Sequence, residues 1–352
     1  MSQELTQRKG YLDFLRCMAC IAVIQLHVSA SNWYSADIHS FSWQVLNFFD
    51  AIVRWAVPIF LMISGTLFLN PQKEITIKNI WQKYIFRIVV AIVFFGLLIF
   101  LILYLPASII AHKNILLNIK DFIDCLHFYH LWYLYVIMGI YMIVPLLRLI
   151  TLHATKKQLE YFMLILCLFT IVISPLKYIF PGNAITLVAD IIQFPILSGY
   201  LLCFLLGSYL DRYDFKYKKW LYIMGGLSIL ATILGTSCLS IWKNSPIDIL
   251  YGYLTPNCVC ASMAIFVFIK DAYSKFKNQV NRLKIFGIIS KYALGIYGVH
   301  VIFIALLTQL GITTITFNPI IMVPCITILV LLLSVIFVFV LCKVPFIKRF
   351  IV

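Results

Sequence analysis

Charge is scarce in this sequence, and negative charge is scarcest: 12% of its 352 residues are Asp, Glu, Lys or Arg, and only 13 are Asp or Glu. A soluble globular domain typically carries about a quarter of its residues as charges. That shortage excludes water as the main solvent. The chain also lacks internal repeats, low-complexity segments and any polar stretch long enough to fold alone, the longest interval between apolar runs being about 106–128. It reads as one membrane domain, 1–352. Cysteines are scarce in its loops: Cys17, Cys20, Cys125, Cys167, Cys203, Cys238, Cys258, Cys260, Cys325 and Cys342 fall almost entirely in apolar stretches, where they act as small hydrophobes. Cys17 and Cys20 form a C-x-x-C, but no second pair or nearby His cluster supplies a tetrahedral metal site.

What is present is apolar length. Hydrophobic residues make up 63% of the chain. A bilayer core asks for about 20 apolar residues per helix. About ten such stretches are found, approximately at 11–31, 44–69, 80–105, 129–149, 159–180, 189–210, 219–242, 249–269, 286–310 and 320–342. The expected fold is therefore all-α, a polytopic bundle of about ten transmembrane helices. The first stretch is expected to stay as a helix and not to be cleaved as a signal peptide, because Asp13, Arg16 and His27 lie within it.

The formal charge of +15 could suggest a nucleic-acid partner, but the 28 Lys and Arg residues are scattered between apolar runs and form no basic domain, so no such partner is expected. They report topology. With both termini cytoplasmic, the outer loops hold only Lys113, Lys120, Lys177 and Lys243, and Arg16 and Arg54 lie within spans. All others, including Lys277 near a span end, fall on the cytoplasmic side, as the positive-inside rule requires. Trp33, Trp43, Trp132, Trp220 and Trp242 fall near span ends and read as interfacial anchors.

An ionisable group inside a span costs several kcal/mol unless it faces protein or water, which makes each one a functional candidate. On the first helix, Asp13, Arg16, Cys20 and His27 fall within about 60° of one another, and His27 lies roughly 16 Å beyond Arg16 along the axis. Asp13 and Arg16, three residues apart, can pair. The second span carries Asp50 and Arg54 at i, i+4, followed by Pro58, which removes an amide donor, and Gly65, which allows close backbone approach. Lys83 and Arg87 stand at the inner end of the third span, His130 and Trp132 open the fourth from outside, and His300 lies inside the ninth after Tyr297. Structural readings stand beside the functional ones: Asp50 with Arg54 as an ion pair fixing helix packing, and Lys83 with Arg87 as anchors reaching lipid headgroups.

The Arg16-x10-His27 spacing resembles a signature of the acyltransferase 3 family of membrane-bound O-acyltransferases. Further stretches agree in order: Tyr11 to Arg16 (YLDFLR) resembles the family's D-x-L-R opening, and Pro58 to Gly65 its P-x-F-F-x-x-S-G. His130 to Leu134 (HLWYL) is similar to its H-L-W-F-L, and Ser290 to His300 (SKYALGIYGVH) to its late S-x-x-S-Y-x-I-Y-x-x-H, with Ala293 and Gly295 in place of commoner residues. The resemblance spans nearly the whole chain. It implies a stand-alone member, similar in size to the enterobacterial common antigen O-acetyltransferase, in a bacterial inner membrane among membrane lipids. It further implies transfer of an acyl group, usually acetyl, from cytoplasmic acetyl-CoA, a co-substrate and not a resident cofactor. The acceptor would be a hydroxyl of a cell-envelope glycan or lipid-linked sugar.

In that chemistry His27 is the candidate general base, since a sugar hydroxyl must lose its proton to attack. Arg16, oriented by Asp13, and Arg87 with Lys83 are candidates for the donor's oxygens and phosphates. His130, Trp132 and His300 are candidates for substrate binding, and an acyl-His27 intermediate is an alternative route that these residues also allow. Two competing classes stand against an enzyme: a secondary transporter using the buried His, Arg and Asp residues for protons or substrate, and a non-catalytic lipid-binding or sensing protein.

Overall fold

Apolar runs of this length must satisfy every backbone N–H and C=O internally, which in a single segment only a helix does. The computed structural model describes residues 10–110, 112, 115–173, 197–282 and 284–351, and among these every regular element is helical. Those of seven residues or more are α1 (Gly10–Ala30), α2 (Phe41–Ala51), α3 (Ala56–Phe68), α4 (Ile77–Tyr104, with π-helical turns at Ile80–Ile85 and Phe100–Tyr104), α5 (Ile115–Leu126), α6 (Trp132–His153) and α7 (Lys156–Cys167). Then come α8 (Leu197–Arg212), α9 (Lys218–Lys243), α10 (Pro256–Arg282), α11 (Lys284–Gln309), α12 (Pro319–Leu341) and α13 (Pro345–Ile351).

Among the described residues, 8 helices are long and apolar enough to cross a membrane, with α2 and α3 counted together. The expected spans at 159–180 and 189–210 are described only in part, as α7 with the π-helical turn that follows it and as α8. Among the basic residues behind the expected orientation, Arg8 and Lys9 before the first span and Lys113 and Lys177 of the outer loops lie outside the described residues.

Two expectations change. The second span is not one helix: turns at 52–55 separate α2 from α3, so the i, i+4 register assumed between Asp50 and Arg54 is interrupted. Pro58 has no N–H to give the Arg54 carbonyl. That carbonyl instead accepts from the Cys258 thiol at 3.2 Å, while the Trp55 carbonyl takes both Ile59 N–H, at 3.2 Å, and the Ser262 hydroxyl, at 3.4 Å. The interval at 106–128, expected as a loop, contains α5, whose Leu126 packs where a Cβ on Gly96 of α4 would sit. Burial pushes the Cys125 thiol of this helix up to about 11, which keeps it protonated near neutral pH.

The described chain packs as two compact units, each discontinuous in sequence. One comprises Met1–Ala19, Ala51–Thr76 and Ile143–Leu283. Its centre is the α3–α8 pair: a Cβ on Gly65 would stand 1.7 Å from the Phe204 carbonyl oxygen, and one on Gly207 would stand 1.9 Å from that of Met62. Only glycine at both places lets the two backbones touch, the small-residue contact typical of helices in lipid. The other unit comprises Cys20–Asp50, Ile77–Met142 and Lys284–Val352. There α11 packs on α12 and on α4, and a Cβ on Gly298 would meet the Phe95 ring at 2.3 Å.

Trp33 and Trp43 are fully buried with ring centroids 5.3 Å apart, and the Trp43 indole N–H donates to the Trp33 carbonyl at 2.9 Å. They are core residues of the segment after α1 and not the anchors expected. Trp220 and Trp242 are exposed on the protein surface, as anchors would be.

Candidate active site

The second unit gathers three histidines from three separate segments. His27 comes from the last turn of α1, His130 from the turn that precedes α6, and His300 from the middle of α11. The ring centroids of His27 and His300 are 5.1 Å apart, those of His130 and His300 5.4 Å, and those of His27 and His130 6.4 Å. His300 is thus the middle ring. It is 0% exposed and His130 1%, whereas His27 is half-buried.

Local structure explains each placement. Gln25 of α1 donates to the Phe49 carbonyl of α2 at 2.9 Å, and Asn32 accepts from the Thr314 hydroxyl at 2.9 Å, so the C-terminal end of α1 is fixed on both sides. His130 lies in a tight turn closed by Leu131 N–H to the Phe128 carbonyl at 2.7 Å, and its own carbonyl accepts from the Tyr297 hydroxyl. Gly298 lets α11 approach α4 closely enough to bring His300, two residues later, into the interior. Aromatic rings complete the walls: Tyr129 stands 5.4 Å from His27, Tyr297 5.4 Å from His130, and Tyr133 5.9 Å from Tyr297.

The His300 tautomer follows from its neighbours. Nδ1 lies 2.7 Å from the Tyr297 carbonyl and 3.3 Å from that of Ile296. A carbonyl only accepts, so Nδ1 carries the hydrogen and Nε2 of the neutral ring holds a lone pair. Among the described residues Nε2 meets no hydrogen-bond partner. A buried polar atom left unmet costs about 1–3 kcal/mol, a cost commonly found where a protein keeps a functional group ready.

The remaining sequence candidates separate. Asp13 and Arg16 do pair, at 3.3 Å, within the first unit, where the neighbouring Tyr11 hydroxyl donates to Asp211 at 2.6 Å. In the second unit, Arg87 Nε donates to the Phe350 carbonyl of α13 at 3.1 Å and Lys83 is exposed. Trp132 is half-buried beside Tyr133, the ring that leads on to Tyr297. In the first unit Arg54 lies over the Tyr251 ring, 3.9 Å from its centroid, which gives this guanidinium a cation–π partner.

One feature of the first unit was missed by reading the sequence. Arg148 of α6, 8% exposed, donates from one guanidinium to the carbonyls of Phe68 at 2.7 Å and Asn70 at 3.0 Å, and also to that of Lys73. Arg212 of α8 donates to Thr151 at 3.0 Å and to the Leu69 carbonyl. Two arginines therefore clamp the carbonyl end of α3, where the unsatisfied C=O groups and the helix dipole favour cations. By its place in the sequence Arg148 reads as one of the cytoplasmic charges that report topology. Its position in the apolar run Pro145 to Ile150 was the available signal.

A family model described as an acyltransferase domain matches residues 9–339, nearly the whole chain. No curated protein matches, and no solved structure does.

Proposed function

Since the chain belongs to the acyltransferase 3 family, we propose that it moves an acetyl group from cytoplasmic acetyl-CoA to a hydroxyl of a cell-envelope glycan or lipid-linked sugar. The family match and the apolar helices make it a multi-pass membrane acyltransferase. The observation that carries the finer reading is the meeting of His27, His130 and His300. Imidazole is the side chain whose ordinary pKa suits it to take a proton near neutral pH and return it.

In this reading the acceptor hydroxyl gives its proton to His27 as its oxygen attacks the thioester carbonyl carbon. The C–S bond then breaks, and the departing CoA thiolate takes the proton back from the imidazolium. Trp132 and Tyr129, Tyr133 and Tyr297 offer aromatic rings with polar edges suited to a sugar, and the buried His130 and His300 stand beside them. Arg16, held by Asp13, serves the donor's oxygens with a planar fork. Arg87 and Lys83 serve its phosphates, with Arg87 steadied by the Phe350 carbonyl.

Purified protein in lipid nanodiscs should consume acetyl-CoA in the presence of an envelope glycan fraction, and mass spectrometry should find that fraction acetylated. Arg87→Ala or Lys83→Ala should raise the apparent KM for acetyl-CoA by about tenfold and leave that for the acceptor unchanged, as loss of a charge-assisted phosphate contact would. Acetyl-CoA left intact by well-folded protein would overturn the reading, and an unchanged donor KM would return both cations to headgroup anchoring.

The proposed orientation places both termini in the cytoplasm, supported by the distribution of Lys and Arg between alternate loops. An epitope inserted at Ser35 should be reached by antibody from outside intact cells, and one at Lys277 only after permeabilisation. The reverse pattern would exchange donor and acceptor sides.

A further inference from the structure

We infer that His300 is a positioning residue for His27: its Nε2 accepts a hydrogen bond from one ring N–H of His27 and so keeps the lone pair of the other ring nitrogen free for the acceptor hydroxyl. This rests on the reading of His27 as proton acceptor. Three observations meet here. His300 Nδ1–H is committed to the Tyr297 and Ile296 carbonyls, so the ring cannot turn over without losing them, and its Nε2 can only accept. That Nε2 is buried and unmet among the described residues. The His27 ring is the nearer of the two histidine neighbours, at 5.1 Å between centroids against 5.4 Å for His130. Two imidazoles joined head to head by an N–H···N bond of about 3 Å have centroids roughly 5 Å apart, the separation found between His27 and His300.

The physical need is specific. A neutral imidazole exists in two tautomers, and only one presents a lone pair in a given direction, which the hydrogen bond at its other nitrogen decides. A carboxylate in that place would also raise the ring's proton affinity. A neutral imidazole acceptor sets the tautomer with much less effect on affinity, which leaves His27 able to return its proton to the thiolate. The expected effect of losing such an orienting partner is about tenfold to a hundredfold, as for the orienting partners of other functional histidines, and it falls on kcat.

The test is a tautomer measurement with a kinetic cycle. In ¹⁵N-histidine-labelled protein in nanodiscs, the His27 signals are assigned by their loss in His27→Gln. Wild-type His27 should show one neutral tautomer, His300→Leu should show a mixture, and His300→Gln, whose carbonyl can accept, should restore the single form. With acetyl-CoA and an envelope glycan fraction as probes, His300→Leu should lower kcat by about tenfold to a hundredfold with the KM for acetyl-CoA unchanged. In a His27→Ala background the same substitution should cost nothing further. A wild-type mixture of tautomers, which needs no variant to fold, overturns the proposal. So does a His300→Leu effect that persists without His27. If the tautomer responds to His300 but His27→Ala still transfers acetyl groups, the positioning stands and the catalytic assignment of His27 fails instead.

Discussion

His27→Ala is expected to yield a folded, membrane-inserted protein whose acyl transfer is slower by about a hundredfold to ten-thousandfold, the usual range for loss of a general base. The ring is half-buried at the end of α1, and that end is held by Gln25 with Phe49 and by Asn32 with Thr314, none of which needs the imidazole. The loss should therefore appear in kcat and not in the melting temperature measured in detergent. A slowing of similar size for His27→Gln, which keeps volume and hydrogen bonding but cannot take the proton, would separate proton transfer from packing. Near wild-type turnover by well-folded His27→Ala protein would show that another group accepts the proton, whatever the family.

The largest expected effect on stability lies at Arg148. Arg148→Leu keeps the apolar stem of the side chain but leaves the Phe68, Asn70 and Lys73 carbonyls without their common donor. Each buried acceptor left unmet costs about 1–3 kcal/mol, reduced where water can enter. The sum is several kcal/mol, a large part of the margin of a typical fold. The protein should melt well below wild type, with less of it recovered folded from membranes. Arg148→Lys should lie between, because an ammonium cannot span three carbonyls as a planar guanidinium does. An unchanged melting temperature for Arg148→Leu would mean that Arg212, through Thr151 and Leu69, holds the end of α3 alone.

Some of this chemistry could be read in the chain. The pairing of Asp13 with Arg16 follows from three-residue spacing on a helix, and it is observed. The close backbone approach at Gly65 follows from a glycine in an apolar run, though not its partner Phe204. The break at 52–55 is less legible: Pro58 is visible, but the chain leaves the helix several residues earlier, where the freed Arg54 carbonyl finds Cys258 of α10 and the Trp55 carbonyl takes Ser262 in addition to the Ile59 N–H. Trp33 and Trp43 were misread because an indole at a span end looks the same whether it faces headgroups or another indole.

By itself the sequence determined that the chain is helical and crosses a membrane, because hydropathy over about 20 residues is a local property that the bilayer tests segment by segment. It also singled out His27, His130 and His300, since an ionisable group in an apolar run is expensive enough to be noticed wherever it stands. Tertiary structure alone decided that these three rings meet, that His300 occupies the middle with its tautomer set by its own helix, and that Arg148 clamps the end of α3. Such partnerships depend on the rotation and crossing of helices distant in sequence. Those are set by which side chains allow contact, Gly65 against Phe204 in one unit and Gly298 against Phe95 in the other, and no local window of sequence contains both sides of either contact.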